Sequence, residues 1–315
     1  MALPTILAAS WSDGLFVGWG GVWRQELAGQ PVRGLARDGR GGALVIVAGR
    51  SLNRRSADGV WTTLATAEVE LACCVAVGDA IYVGTEDARI LRLGPRATLT
   101  SVTAFESVAG RPSWYAGTAV IDGQVVGPPL GVRSLSATCD AGALLANIHV
   151  GGIPRSTDHG AKWAPTIDID VDVHEVCAHP RNPQLVAAAA GMGLCISTDA
   201  GATWTVERDG LHAPHCSGVA FSGSDILVSA SEDPFSARGA LYLRSIEERG
   251  PLRAVGGGLP EWTDGKVDTG CLASHGSAVA AADAGGHLYV SEDFGRGWSC
   301  LRTRILNPSS MLLYA

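Results

Sequence analysis

No stretch of the chain holds about twenty successive apolar residues, the length a helix needs to cross a bilayer, so no membrane partner is expected. Basic clusters are missing too. Lys and Arg number 24 against 31 Asp and Glu, a net charge of −7, which argues against a nucleic-acid partner. Residues 1–10, MALPTILAAS, carry no basic residue ahead of their apolar stretch and no small-residue cleavage signal behind it. No export leader is read there, and a cytoplasmic location is expected. The eight cysteines include no C-x-x-C pair, and reduced, mostly buried thiols are expected. Charged residues are sparse, at 17% against 46% hydrophobic, which excludes a disordered chain and allows a sizeable core. Phe and Tyr are scarce at five each, whereas Trp reaches nine, an imbalance that a tryptophan-bearing repeat explains.

That repeat is present. Ser156 to Trp163, Ser197 to Trp204 and Ser291 to Trp298 all read S-x-D-x-G-x-x-W, and a shortened relative runs from Ser56 through Asp58 and Gly59 to Trp61. Ser156 and Ser197 are 41 positions apart, and Ser197 and Ser291 are 94 apart, twice 47. Steps of about 40–50 residues are the period of propeller blades. Each repeated position has a physical task. The Asp accepts backbone N–H groups inside a turn, the Gly supplies a positive φ, and the Trp buries a large ring between neighbouring units. The pattern resembles the Asp-box, or BNR repeat, of sialidases, sortilin-type receptors and photosystem II assembly factors. In those families the box is structural and lies away from the chemistry.

Blades can be counted from the short apolar runs between turns. Units of four strands are expected to begin near Val32, Leu71, Val132, Val173, Cys216 and Thr269. Residues 5–10, 14–18 and 22–25 supply three strands of one more blade, and residues 310–314 supply its missing first strand. The expectation is therefore an all-β, seven-bladed β-propeller of four-stranded antiparallel blades spanning 1–315 as a single domain. Sharing of one blade by the first and last strands leaves no free edge.

In such a blade, strand one begins and strand two ends on the same face, beside the central channel. Alignment of VRGLAR, VRSLSA and VHEVCA puts Arg33, Arg133 and His174 at equivalent points. His149, Asp172, His174, His212 and His215 then come from three successive blades to one rim, with Asp233 and Asp268 further round. Thr166 to His174 alternates apolar and acidic residues, so one face of a strand is expected to carry Asp168, Asp170, Asp172 and His174. Trp114, Tyr115 and the run Gly127-Pro128-Pro129 form a candidate wall over the rim. The other histidines, His159, His179, His275 and His287, read as surface or turn residues. The stretch from about Trp114 to about Leu243, with NIHVGGIPRSTDHGAKW, DIDVDVHEV and DGLHAPHCSGVA, resembles bacterial WD40/YVTN/BNR-like repeat proteins. That resemblance implies the same propeller and places His149, His174 and His212 in its motifs, but implies no reaction.

Three neutral imidazoles with an open position suit a divalent transition metal, so His149, His174 and His212 are the candidate ligands. His215, Asp172 and Arg133 are the candidate catalytic groups: an acid–base imidazole, a carboxylate that orients it, and a cation for an anionic substrate. The favoured reading is a lyase or hydrolase acting on a small molecule at the channel mouth. A non-catalytic scaffold with a protein partner is the alternative. A sialidase lacks its early Arg-Ile-Pro motif here, since Ile153-Pro154-Arg155 has another order and precedes a box. A lectin would need exposed tryptophans, and Trp11, Trp19, Trp114 and Trp262 are the ones the repeat leaves unplaced.

Overall fold

The structure is a computed structural model and describes residues 4–314 except 20–21, 118, 122–123, 127–129 and 249. The apolar runs pair as strands because their neighbours in sequence are turn formers and their second strands are apolar on both faces. Ala43–Val47, Val186–Ala190 and Ala278–Ala282 are buried at every position. Two of these read VAAAA and AVAAA, and such small side chains let adjacent sheets approach closely. Burial fades outward, so that Thr205–Glu207 and Arg253–Ala254 are mostly exposed.

Seven antiparallel sheets stand in a ring. Six are continuous in sequence, with innermost strands Val32–Arg37, Leu71–Val77, Val132–Ala137, Val173–Ala178, His215–Ser222 and Leu272–His275. We number these blades one to six. Blade five adds a short strand, Thr263–Asp264, against Arg238–Ser245. A small hairpin of Ala119–Ile121 and Gln124–Val126 lies between blades two and three. The seventh sheet closes the ring: Pro308–Tyr314 pairs with Thr5–Ser10, with Ile6 opposite Leu313 and Ala8 opposite Met311. Gly14–Trp19 and Val22–Glu26 complete it.

Packing follows from this ring. Each apolar cluster joins neighbouring blades, as where Leu44, Ile46 and Leu52 of blade one meet Cys74, Ile81 and Val83 of blade two. Each fully buried Leu or Ile contributes about 1.5–3 kcal/mol. At the seam, Arg55 is 1% exposed and donates from Nε and Nη2 to Glu26, at 2.9 Å each, and from Nη1 to the Tyr314 hydroxyl at 2.7 Å. Blade one is thereby tied to both contributors of the closing blade.

The S-x-D-x-G-x-x-W segments connect strand three to strand four, at the end of the blade away from the start of strand one. In each, the Ser hydroxyl donates to the Asp carboxylate and accepts the Gly N–H, at 2.8 Å for both bonds in the Ser197 turn. Burial opposes ionisation of Asp199, but Thr203, Ser197 and backbone N–H donors outweigh it and hold its carboxyl down at about 2. Trp298 is buried, while Trp61, Trp163 and Trp204 are half-buried. Gly160, Gly201 and Gly295 adopt φ of 82–89°, as the turn requires.

One local expectation fails. Asp168 to His174 is not a continuous strand. Ile169–Val171 forms a 3₁₀ turn, with the Asp168 carboxylate accepting the Asp170 N–H and Asp172 left-handed at φ 55°. A carboxylate next to a free N–H competes with the strand ladder, and here the local bond wins. The strand begins only at Val173.

Candidate metal centre at the channel mouth

The innermost strands share an irregularity. Their pairing with strand two shifts at Arg33/Ala36, Leu71/Cys73, Val132/Ser134, Val173/Glu175 and Cys216/Val219. A bulge re-aims side chains that strict alternation would send into the sheet stack. Arg133 and His174 sit at equivalent bulged positions, and both line the channel. His149 follows directly on the second strand of blade three, Leu144–Ile148. His215 opens the first strand of blade five, opposite Ser231.

These placements bring three imidazoles together. The ring centroids of His149 and His174 are 5.9 Å apart, and those of His174 and His215 are 4.6 Å apart. Asp172 stands between the first two, with Oδ1 at 3.8 Å from His149 Nε2 and Oδ2 at 3.3 Å from His174 Nε2. One ligand atom from each of His149, Asp172 and His174 lies within 4.8 Å of the others, so this His–Asp–His group could hold a metal ion.

Its chemistry fits a cation. His174 Nδ1 lies 2.6 Å from the Cys216 carbonyl oxygen, which can only accept, so Nδ1 carries the proton. In the neutral ring, Nε2 then turns a lone pair toward the lone pairs of Asp172. A proton or a metal ion between them resolves that opposition, and a backbone carbonyl on the remote ring nitrogen is the usual support of a ligating histidine. His149 Nδ1 and Asp172 Oδ1 are buried and have no hydrogen-bond partner among the described residues. Burial, helped by the nearby Arg133 charge, drops His149 to about 3, and burial with the neighbouring His174 drops His215 to about 4. Both rings are therefore neutral lone-pair donors near pH 7.

Backbone geometry fixes the candidate ligands. Asp172 is held by its own N–H on the Ile169 carbonyl and by the Gly191 N–H on its carbonyl, at 3.1 and 2.8 Å. Gly117 lies flat against His149: a Cβ there would fall 1.9 Å from the ring Cε1.

The group opens on a cavity of about 930 Å³ along the axis. Arg133 reaches across it, its Nη2 donating to Thr269 Oγ1 on the approach to blade six at 3.3 Å. Lys266 pairs with Asp268 at 3.2 Å. Glu175 accepts the Val219 and Gly270 N–H groups from blade five and from the approach to blade six, at 3.0 and 3.2 Å. Burial deep among these blades pushes its carboxyl up to about 8.

Other expected residues fall elsewhere. His212 is not in the metal group: it is exposed, its Nδ1 is 2.7 Å from the Tyr242 hydroxyl, and its ring meets Trp262 edge-on. Residues 212–214 form a bend, which turns His212 away before His215 enters the strand. Asp172 takes the third place instead. Arg33 is engaged by Glu86 and Glu70 at 2.6 and 3.3 Å. Asp233 turns back to the Phe235 N–H. The Cys216 thiol is buried, and that burial shifts it upward. Tyr115 lines the cavity and Trp114 packs beneath it in the core, while Gly127, Pro128 and Pro129 lie outside the described residues. Glu175 and Lys266 were not anticipated. An acidic residue inside the buried VHEV run, next to His174, is the signal for the first; nothing in the sequence marks the second.

No helix among the described residues is long and apolar enough to cross a membrane. No protein-family profile matches the chain, and no curated protein matches it.

Proposed function

We propose that this propeller is a metal-dependent hydrolase or lyase whose centre is the His149–Asp172–His174 group, acting on a small molecule in the channel mouth. The carrying observation is the convergence of three ligand atoms within 4.8 Å, with His174 locked in the tautomer a ligand needs. Two imidazoles and a carboxylate suit a borderline divalent ion such as Zn²⁺, Mn²⁺ or Fe²⁺ and leave positions open. Such an ion supplies Lewis acidity to a substrate or water oxygen. Arg133 orients an anionic group, and His215 stands beside His174 to take up or return a proton. The box-like turns support an Asp-box propeller ancestry, with the boxes as remote struts.

The test is elemental analysis of purified protein and of protein reconstituted with Zn²⁺, Mn²⁺ or Fe²⁺. About one equivalent is expected, one ion per group. His149→Ala and Asp172→Ala should each lose it while keeping the wild-type circular dichroism. No stoichiometric metal under any of these conditions would overturn the reading and leave the scaffold alternative.

A further inference from the structure

Arg133 projects a guanidinium into the channel and, among the described residues, has no carboxylate within ion-pair distance. The other cations lining the cavity are matched: Arg33 by Glu86 and Glu70, and Lys266 by Asp268. An unmatched planar fork in a half-enclosed site is a receptor for a carboxylate, because it offers two parallel N–H donors to two oxygens. Arg133 lines the same cavity as His149, Asp172 and His174. Within the His149–Asp172–His174 group a divalent ion would bring two positive charges against the single negative charge of Asp172, an excess that an anionic ligand would offset.

The rim has a different character. Trp11, Tyr115 and Phe235 line the same cavity and are 47%, 52% and 57% exposed. They come from the closing blade, the connection between blades two and three, and blade five. Exposed aromatic rings around a charged floor are the usual arrangement for a ligand with a polar end and an apolar body.

We infer that the ligand of this channel is a small carboxylate with an apolar or aryl body, its carboxylate set between the metal group and the Arg133 fork and its body against Tyr115 and Phe235. This assignment rests on the metal-centre reading for one of its two carboxylate contacts and on Arg133 for the other.

Isothermal titration of Zn²⁺-reconstituted and chelator-treated protein with 3-phenylpropanoate, 3-phenylpropanamide and propanoate tests it, with metal content measured on each sample. In the reconstituted protein, the phenyl carboxylate should bind at least about tenfold tighter than its amide, the difference a charge-assisted bidentate pair supplies. In the reconstituted protein Arg133→Met should reduce that preference several-fold at unchanged metal content; in the chelator-treated protein it should remove it, and Arg133→Lys should restore part of it. Phe235→Ala should weaken both phenyl ligands several-fold and leave propanoate unchanged. Equal binding of carboxylate and amide, no binding of either, or a preference that Arg133→Met leaves undiminished in both samples would overturn the assignment. If the protein holds no metal but the chelator-treated form still prefers the carboxylate through Arg133, the metal reading falls and the ligand class stands.

Discussion

Replacing Glu175 by Gln should make the metal-free protein progressively more stable than wild type as the pH rises from 5 to 8. The Glu175 carboxyl is moved from its ordinary 4.5 up to about 8 by burial between blades four, five and six. The native state therefore holds a proton that the unfolded chain has released. The stability linked to that proton is fully present below pH 4.5 and is lost as the pH rises through 8. With these two values, the native state forfeits about 1 kcal/mol at pH 5 and about 4 kcal/mol at pH 8. Gln has no proton to lose, so the variant-minus-wild-type difference should climb by about 3 kcal/mol across that range. Any fixed cost of the amide shifts the whole curve without changing its slope. Histidines that titrate in the same range are common to both proteins and cancel. Urea unfolding in chelator at pH 5, 6.5 and 8 measures the difference directly. A difference that stays flat with pH would refute the claim that Glu175 is protonated in the folded channel.

The imidazoles should act in the opposite sense. His149 and His215 are lowered from 6.5 to about 3 and about 4, so the unfolded chain gains protons that the native rings refuse. Stability is lost as the pH falls below 6.5, by about 2 kcal/mol per ring at pH 5, and His215→Gln should remove its share in the same urea series. Glu26→Ala should cost about 3–5 kcal/mol by stranding the buried Arg55 guanidinium, and adding Arg55→Met should recover part of that loss in chemical denaturation. Gly117→Ala should push on the His149 ring and lower metal affinity by about 10–100-fold, the range of a displaced ligand support, with the thermal midpoint nearly unchanged; a wild-type affinity would show that the 110–117 segment yields instead.

The propeller could be read from the chain because its evidence is local and repeated. Ser, Asp, Gly and Trp recur in fixed register, and the Ser–Gly bond closes each turn over four positions, as in the Ser156, Ser197 and Ser291 turns. The apolar strands and the shared closing blade follow from the same period. The site was legible only in part. His149, His174 and His215 converge because strand ends repeat with the blades. His212 lay close to them in sequence but belongs to a bend that faces Tyr242 and Trp262. Alternation suggested that Asp168, Asp170, Asp172 and His174 share a strand face, whereas a 3₁₀ turn breaks it and only Asp172 and His174 meet. Bulges and left-handed residues decide which side chains reach the axis, and neither leaves a distinctive residue pattern. The crossing of Arg133 to Thr269 joins positions 136 apart and has no local trace at all.

The shared closing blade also constrains how the molecule comes into being. Ser10 bonds to a backbone oxygen 296 positions away, and Thr5–Ser10 finds its inner partner only in Pro308–Tyr314. On a ribosome, that early hairpin would wait with one bare edge while six other sheets are made. Loop closure over so long a span is slow, and an unpaired edge invites foreign strands. Ring closure would then come late, and a delay in synthesis of Pro308–Tyr314 would leave the Thr5–Ser10 edge open to aggregation.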